Sequence, residues 1–128
     1  MPYLLFVDDD SNVLNINRNY FESRGFSVSV AQTADQALDH VKKYPVDCVV
    51  LDIMMPGMDG YEATRAIRLS EKVDAADIPI IALTANAFAE DAKAAHDAGM
   101  NAHLSKPLDF NKLKNILARI KKNGSVSL

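Results

Sequence analysis

Asp8, Asp9 and Asp10 follow directly on the apolar run Tyr3-Leu4-Leu5-Phe6-Val7, and Asp52 closes a second one, Cys48-Val49-Val50-Leu51. Thr84 ends a third, Ile78-Pro79-Ile80-Ile81-Ala82-Leu83, and Lys106 follows the shorter Ala102-His103-Leu104-Ser105. Four runs that each stop at a polar, chemically capable residue suggest that these residues meet. Several carboxylates in close proximity repel one another, and keeping them all ionised is costly. A divalent cation relieves that cost, and an oxygen-only donor set points to Mg2+ rather than zinc. Mg2+ binds through few carboxylates and keeps several waters, which leaves room for a phosphate oxygen. A carboxylate can then act as a nucleophile on phosphorus. Phosphoryl transfer needs mainly positioning and charge neutralisation, within reach of a cation, a lysine ammonium and a threonine hydroxyl.

These residues meet only if the apolar runs are neighbouring parallel strands. A short apolar run bounded by turn signals reads as a strand buried on both faces. Between the runs lie helical patterns. Ser11 or Asn12 can cap the first, in which Val13, Ile16 and Tyr20 share a face widened by Leu14 and Phe21, and Gly25 ends it. Ser27-Val28-Ser29-Val30-Ala31 alternates polar and apolar, as an edge strand does. Thr33 and Gln36 have capping-box spacing ahead of Ala34, Ala37, Leu38 and Val41, and Tyr44-Pro45 closes that helix. After the Pro56–Gly60 turn, Tyr61, Thr64 and Ile67 predict a third helix with Arg65, Arg68 and Glu71 facing water, followed by a polar loop over 72–77. An alanine-rich helix over 88–98 ends at Gly99, and Phe110, Leu113, Leu117 and Ile120 stripe the last helix.

Strand and helix thus alternate five times, which predicts an α/β fold with a doubly wound, five-stranded parallel sheet. The three most apolar strands belong in its middle and the two polar ones at its edges. Right-handed crossovers put every strand's carboxyl end on one edge. That edge collects Asp8, Asp9, Asp10, Asp52, Thr84 and Lys106.

At 128 residues the chain suits one domain, large enough for its own core, with residues 1–122 as the folded unit and 123–128 as a flexible tail or truncated linker. A net charge of −3 gives no reason to expect direct nucleic acid or membrane contact. From Lys106 onward six Lys or Arg face a single acid, Asp109, which matches the negative end of a helix dipole. Cys48 has no cysteine partner, and no signal peptide or spanning segment is evident, so a cytoplasmic location is expected.

The segments Phe6-Val7-Asp8-Asp9-Asp10, Leu51-Asp52-Ile53-Met54-Met55-Pro56-Gly57-Met58-Asp59-Gly60, Ala82-Leu83-Thr84-Ala85 and Ser105-Lys106-Pro107 occur in the order and at the distances of a known family. Over residues 3–122 the chain resembles a response-regulator receiver domain of two-component phosphorelay signalling. The resemblance implies a flavodoxin-like (βα)5 fold with strand order 2-1-3-4-5. It implies that Asp52 is the phosphoacceptor, forming an aspartyl-phosphate with a phosphoryl group from a phosphohistidine. It assigns Mg2+ to Asp9, Asp8, Asp52 and the backbone carbonyl of Met54. Thr84 and Lys106 are implied to contact the phosphoryl group, and Thr84 with His103 to form the switch. His103 departs from the Tyr or Phe that many members carry there. The implied partners are a histidine kinase or a histidine phosphotransfer protein, with the downstream effector unnamed. Segments 81–87 and 98–107 look most like receivers of hybrid histidine kinases. A stand-alone regulator or a piece of such a kinase is expected, without enzymatic activity beyond self-phosphorylation and autodephosphorylation.

Plainer readings accompany each of these residues. Asp10 can simply open a helix, Asp59 can cap one, and Met54 and Met55 can be packing residues, although Met54 is also placed to shield an acyl phosphate. His40 and His96 read as plain surface residues. Two other functions share part of the pattern. A Mg2+-dependent phosphohydrolase of the haloacid-dehalogenase type would use Asp8-Asp9-Asp10 but leaves Asp52 without a role. A receiver-like interaction module that works without phosphorylation would not need all the key positions intact.

Overall fold

The computed structural model describes residues 3–52, 60–69, 78–84, 97–105 and 109–123. Five strands, β1 (Tyr3–Val7), β2 (Ser27–Ala31), β3 (Cys48–Asp52), β4 (Ile80–Thr84) and β5 (Ala102–Ser105), form one sheet in the order β2-β1-β3-β4-β5. All four neighbouring pairs are parallel. The alternating, partly exposed β2 and the short β5 occupy the edges, as their polarity requires. Among the described residues the helices are α1 (Ser11–Glu22), α2 (Ala34–Lys43), α3 (Gly60–Arg68) and α4 (Phe110–Asn123). Asp97 and Ala98 are also helical, and the rest of the alanine-rich segment lies outside the described residues, as does the loop over 72–77.

Each central strand sends alternate side chains to opposite faces. Leu5, Val7, Val49, Leu51, Ile80 and Ala82 pack with Ala34, Ala37 and Val41 of α2 and Ala63 and Ile67 of α3. Leu4, Phe6, Cys48, Val50, Ile81 and Leu83 pack on the other face with Leu14 and Phe21 of α1 and Leu113 and Ile116 of α4. Residues 48–51 are fully buried, which is why their sequence shows no alternation. Each such Val or Leu contributes about 1.5–3 kcal/mol relative to an exposed position. These rigid strands hold the acids at their ends.

Several local expectations are revised. Asp10, rather than Ser11 or Asn12, caps α1: its Oδ1 accepts the N–H groups of Asn12 at 2.9 Å and Val13 at 3.4 Å. The inner stripe of α1 is Leu14 and Phe21, whereas Ile16 and Tyr20 are 67% and 42% exposed. Both stripes have helical spacing; Phe21 wins because Phe6 and Phe26 offer aromatic partners, with ring centroids 5.3 and 5.7 Å away. Thr33 caps α2 through the N–H of Gln36, but Gln36 Oε1 reaches the N–H of Gln32 instead of that of Thr33. Ile78 and Pro79 precede β4 rather than belonging to it. His40 is no plain surface residue: it is half-buried, its Nε2 lies 2.7 Å from the Tyr3 hydroxyl, and its ring stacks on Tyr44. Arg68 does not face water; it binds backbone carbonyls, as described below.

Candidate functional site at the carboxyl edge of the sheet

β1 and β3 are adjacent and in register, with Val7 opposite Leu51, so the residue after β1 and the last residue of β3 emerge side by side. Asp8, just past β1, is still tied to the end of β2, since its N–H donates to the Ala31 carbonyl at 3.1 Å. Asp8 and Asp52 are each only 4% exposed, and Asp9 is exposed. One carboxylate oxygen from each of Asp8, Asp9 and Asp52 lies within 4.8 Å of the others. The Asp10 N–H donates to Asp8 Oδ1 at 3.0 Å, orienting the Asp8 carboxylate.

Asp10 turns its own carboxylate to the α1 cap and is not one of the three clustered acids. The plain reading of Asp10 therefore holds. The same observation weighs against the haloacid-dehalogenase pattern, which needs both outer acids of Asp8-Asp9-Asp10 directed at the reacting centre.

Two buried carboxylates and one exposed, with no nitrogen or sulfur ligand among them, form a hard, oxygen-only donor set, which fits Mg2+. Thr84 is the last residue of β4, next to β3, and its backbone is at this edge, paired with Ser105. His103 is half-buried on β5, opposite Ala82. Lys106 directly follows β5, but it lies outside the described residues, as do Met54, Met55, Asp59 and His96. At the other end of β3, burial first and the Asp47 charge second push the Cys48 thiol up, beyond the ordinary thiol range.

Two surface features escaped the sequence reading. Ile16 and Tyr20 form an exposed apolar pair on α1, the helix that starts beside the acids. Arg68 and Asn101 form a hydrogen-bonded junction at the opposite sheet edge. The only sequence signal for the first was a second apolar stripe on α1; for the second there was none, because its partners are mostly backbone carbonyls.

Residues 4–118 match the family model of the response regulator receiver domain. The chain is 34% identical over 119 residues to the sensor histidine kinase GacS of Pseudomonas protegens, covering 92% of this chain and 13% of that protein. It is 38% identical over 118 residues to the response regulator MprA of a Mycobacterium species, covering 92% of this chain and 48% of that protein. The chain thus spans less than half the length of these relatives. Among solved structures, the receiver domain of the sensor histidine kinase PA1611 from Pseudomonas aeruginosa superposes with a TM-score of 0.81 at 35% identity. That match covers 92% of this chain and 95% of that one, and that structure has a magnesium ion coordinated in its active-site cleft. The chain belongs to the response regulator receiver domain family of two-component signalling.

Proposed function

We propose that Asp52 is the phosphoacceptor of this receiver domain and takes its phosphoryl group from a phosphohistidine on a histidine kinase or a histidine phosphotransfer protein. The observation that carries this reading is the buried Asp52 carboxylate at a central strand end, with Asp8 and Asp9 beside it. Asp52 attacks phosphorus and releases the imidazole of the donor histidine, so one P–N bond breaks as one P–O bond forms. Asp9, Asp8, Asp52 and the Met54 carbonyl are the proposed Mg2+ ligands. The metal, when bound, neutralises charge on the acids and on the transferred group. Lys106 is assigned to the phosphoryl charge. Thr84 and His103 are assigned to the switch by which added phosphate charge biases a pre-existing equilibrium between two conformations.

The receiver unit is taken as residues 1–122, with 123–128 as a tail or linker. No helix among the described residues is long and apolar enough to cross a membrane. A cytoplasmic setting is part of this proposal. The exposed pair Ile16 and Tyr20 lies on the helix leading away from the acids and suits an apolar donor surface.

Intact mass after incubation with a small acyl-phosphate donor tests the assignment, with and without Mg2+, on the wild type and Asp52→Asn. The expected result is a Mg2+-dependent gain of one phosphoryl group that Asp52→Asn abolishes. An equal gain in Asp52→Asn would refute Asp52 as the acceptor. Repeating partner-binding measurements on phosphorylated His103→Ala checks the switch, and unchanged binding would remove His103 from it.

A further inference from the structure

We infer that Arg68 is a positioning residue for phosphoryl transfer, pinning the start of β5 and so setting where the chain leaves that strand for Lys106. The inference rests on the phosphoacceptor reading above. Arg68 ends α3, at the sheet edge opposite Asp52. Its Nε and Nη2 donate to the Gly99 carbonyl at 3.0 and 2.7 Å, and Nη2 also reaches Asn101 Oδ1 at 2.7 Å. Its Nη1 donates to the Ile78 carbonyl. Asn101 completes the junction: Oδ1 accepts the Ile80 N–H at 2.9 Å, and its own N–H donates to the Ile80 carbonyl at 2.8 Å. One planar cation therefore ties together the end of α3, the lead into β4 and the lead into β5.

β5 needs such a tie more than any other strand. It is an edge strand of four residues, paired only with β4. Register is normally enforced by the set of side chains a strand buries. Here that set, among the described side chains, is one buried alanine, Ala102, with His103 and Leu104 only half-buried. A slip of two residues would keep the inward and outward alternation, yet move the strand's exit by about 6.6 Å. Asn101 and Arg68 oppose it directly, because the slip would break the two Asn101–Ile80 bonds and the guanidinium bonds together.

The guanidinium fork is what lets one side chain serve three acceptors; a lysine ammonium is a point charge without that geometry. Gly99, at φ +103°, belongs to the same arrangement. A Cβ there would come within 3.3 Å of Arg68 Cγ, so the glycine and the arginine stem are fitted to each other.

The alternative is that Arg68 only adds stability, and Mg2+ binding separates the two. The three clustered acids come from the residues after β1 and the end of β3, whereas the hydrogen bonds of Arg68 described above go to the leads into β4 and β5. Arg68→Gln and Arg68→Lys are compared with the wild type, each first shown by far-UV circular dichroism to be folded at the assay temperature. Mg2+ affinity is measured by calorimetry, the phosphorylation rate at saturating small acyl-phosphate donor by intact mass, and amide exchange of residues 102–105 by mass spectrometry. Arg68→Gln is expected to keep the wild-type Mg2+ affinity, exchange faster over 102–105, and lose about tenfold in saturated rate, within the ~100-fold that a 1 Å misplacement can cost. Arg68→Lys should recover part of the rate, and it carries the test if Arg68→Gln does not fold. A wild-type rate in a folded variant overturns the inference, as does a fall in Mg2+ affinity parallel to the fall in rate. A wild-type protein that accepts no phosphoryl group overturns the phosphoacceptor reading itself, a distinct outcome.

Discussion

Replacing Asp8 with Asn removes one charge from the acidic cluster and keeps an oxygen for the Asp10 N–H. Asp8 and Asp52 are each 4% exposed, with carboxylate oxygens within 4.8 Å of one another and of Asp9. At an effective dielectric of about 20, two like charges at that spacing repel by roughly 3 kcal/mol. The hydrogen bond from Asp10 offsets part of this, and the repulsion from exposed Asp9 is screened by water. The net expectation in metal-free buffer is that Asp8→Asn is more stable than the wild type by about 2 kcal/mol, a rise in Tm of roughly 8 °C for a domain of this size. Mg2+ reverses the order of benefit. A bound ligand stabilises by about 1.4 kcal/mol for each tenfold excess over its Kd. The variant has lost a proposed ligand and gains less. Thermal unfolding followed by circular dichroism, in EDTA and then in rising Mg2+, reads both effects. A variant less stable than the wild type in EDTA would refute the repulsion argument, and equal Mg2+ stabilisation of both proteins would remove Asp8 from the metal site.

Ile16→Asp changes a residue that is 67% exposed, so stability should move by no more than about 0.5 kcal/mol. Phosphotransfer from a phosphohistidine protein should fall about tenfold, equivalent to 1.4 kcal/mol of docking energy, while transfer from a small acyl-phosphate donor stays unchanged; equal rates from the protein donor would exclude this face as the docking surface. The raised Cys48 thiol stays protonated in the folded protein, so at about pH 8 the native chain should resist iodoacetamide while the urea-unfolded chain reacts. Its linkage has a definite sign: the folded state holds the proton more tightly, so stability is full below the unfolded thiol value of about 8.5 and declines as pH rises above it. Native alkylation at the unfolded rate would contradict the burial of Cys48.

Much of the fold was legible because the signals were redundant. Fully apolar runs at 48–51 and 80–83, against the alternating 27–31, separate centre strands from edges by polarity alone. Parallel strands and right-handed crossovers then bring Asp8, Asp9 and Asp52 together without any coordinates. Local caps were less legible. Asp10, Ser11 and Asn12 are all competent N-caps, and only the Asp8–Asp10 hydrogen bond and the path of the chain select Asp10. The face of α1 was ambiguous for a related reason, since two stripes share one period and the choice depends on which aromatic rings the sheet presents.

The sequence by itself determined which strands are central, which lie at the sheet's edges, and that Asp8, Asp9 and Asp52 share one end of it, because hydrophobic periodicity and chain handedness leave few alternatives; the full order 2-1-3-4-5 was implied by the family resemblance. Tertiary structure alone decided that Ile16 and Tyr20 face outward, that His40 packs against Tyr3 and Tyr44, and that Arg68 turns inward to Gly99, Ile78 and Asn101. For His40 and Arg68 the decisive partners, Tyr3, Gly99 and Asn101, are distant in sequence, and some are backbone carbonyls, which every residue type supplies. No residue pattern can announce such a contact; only the folded backbone brings donor and acceptor within reach.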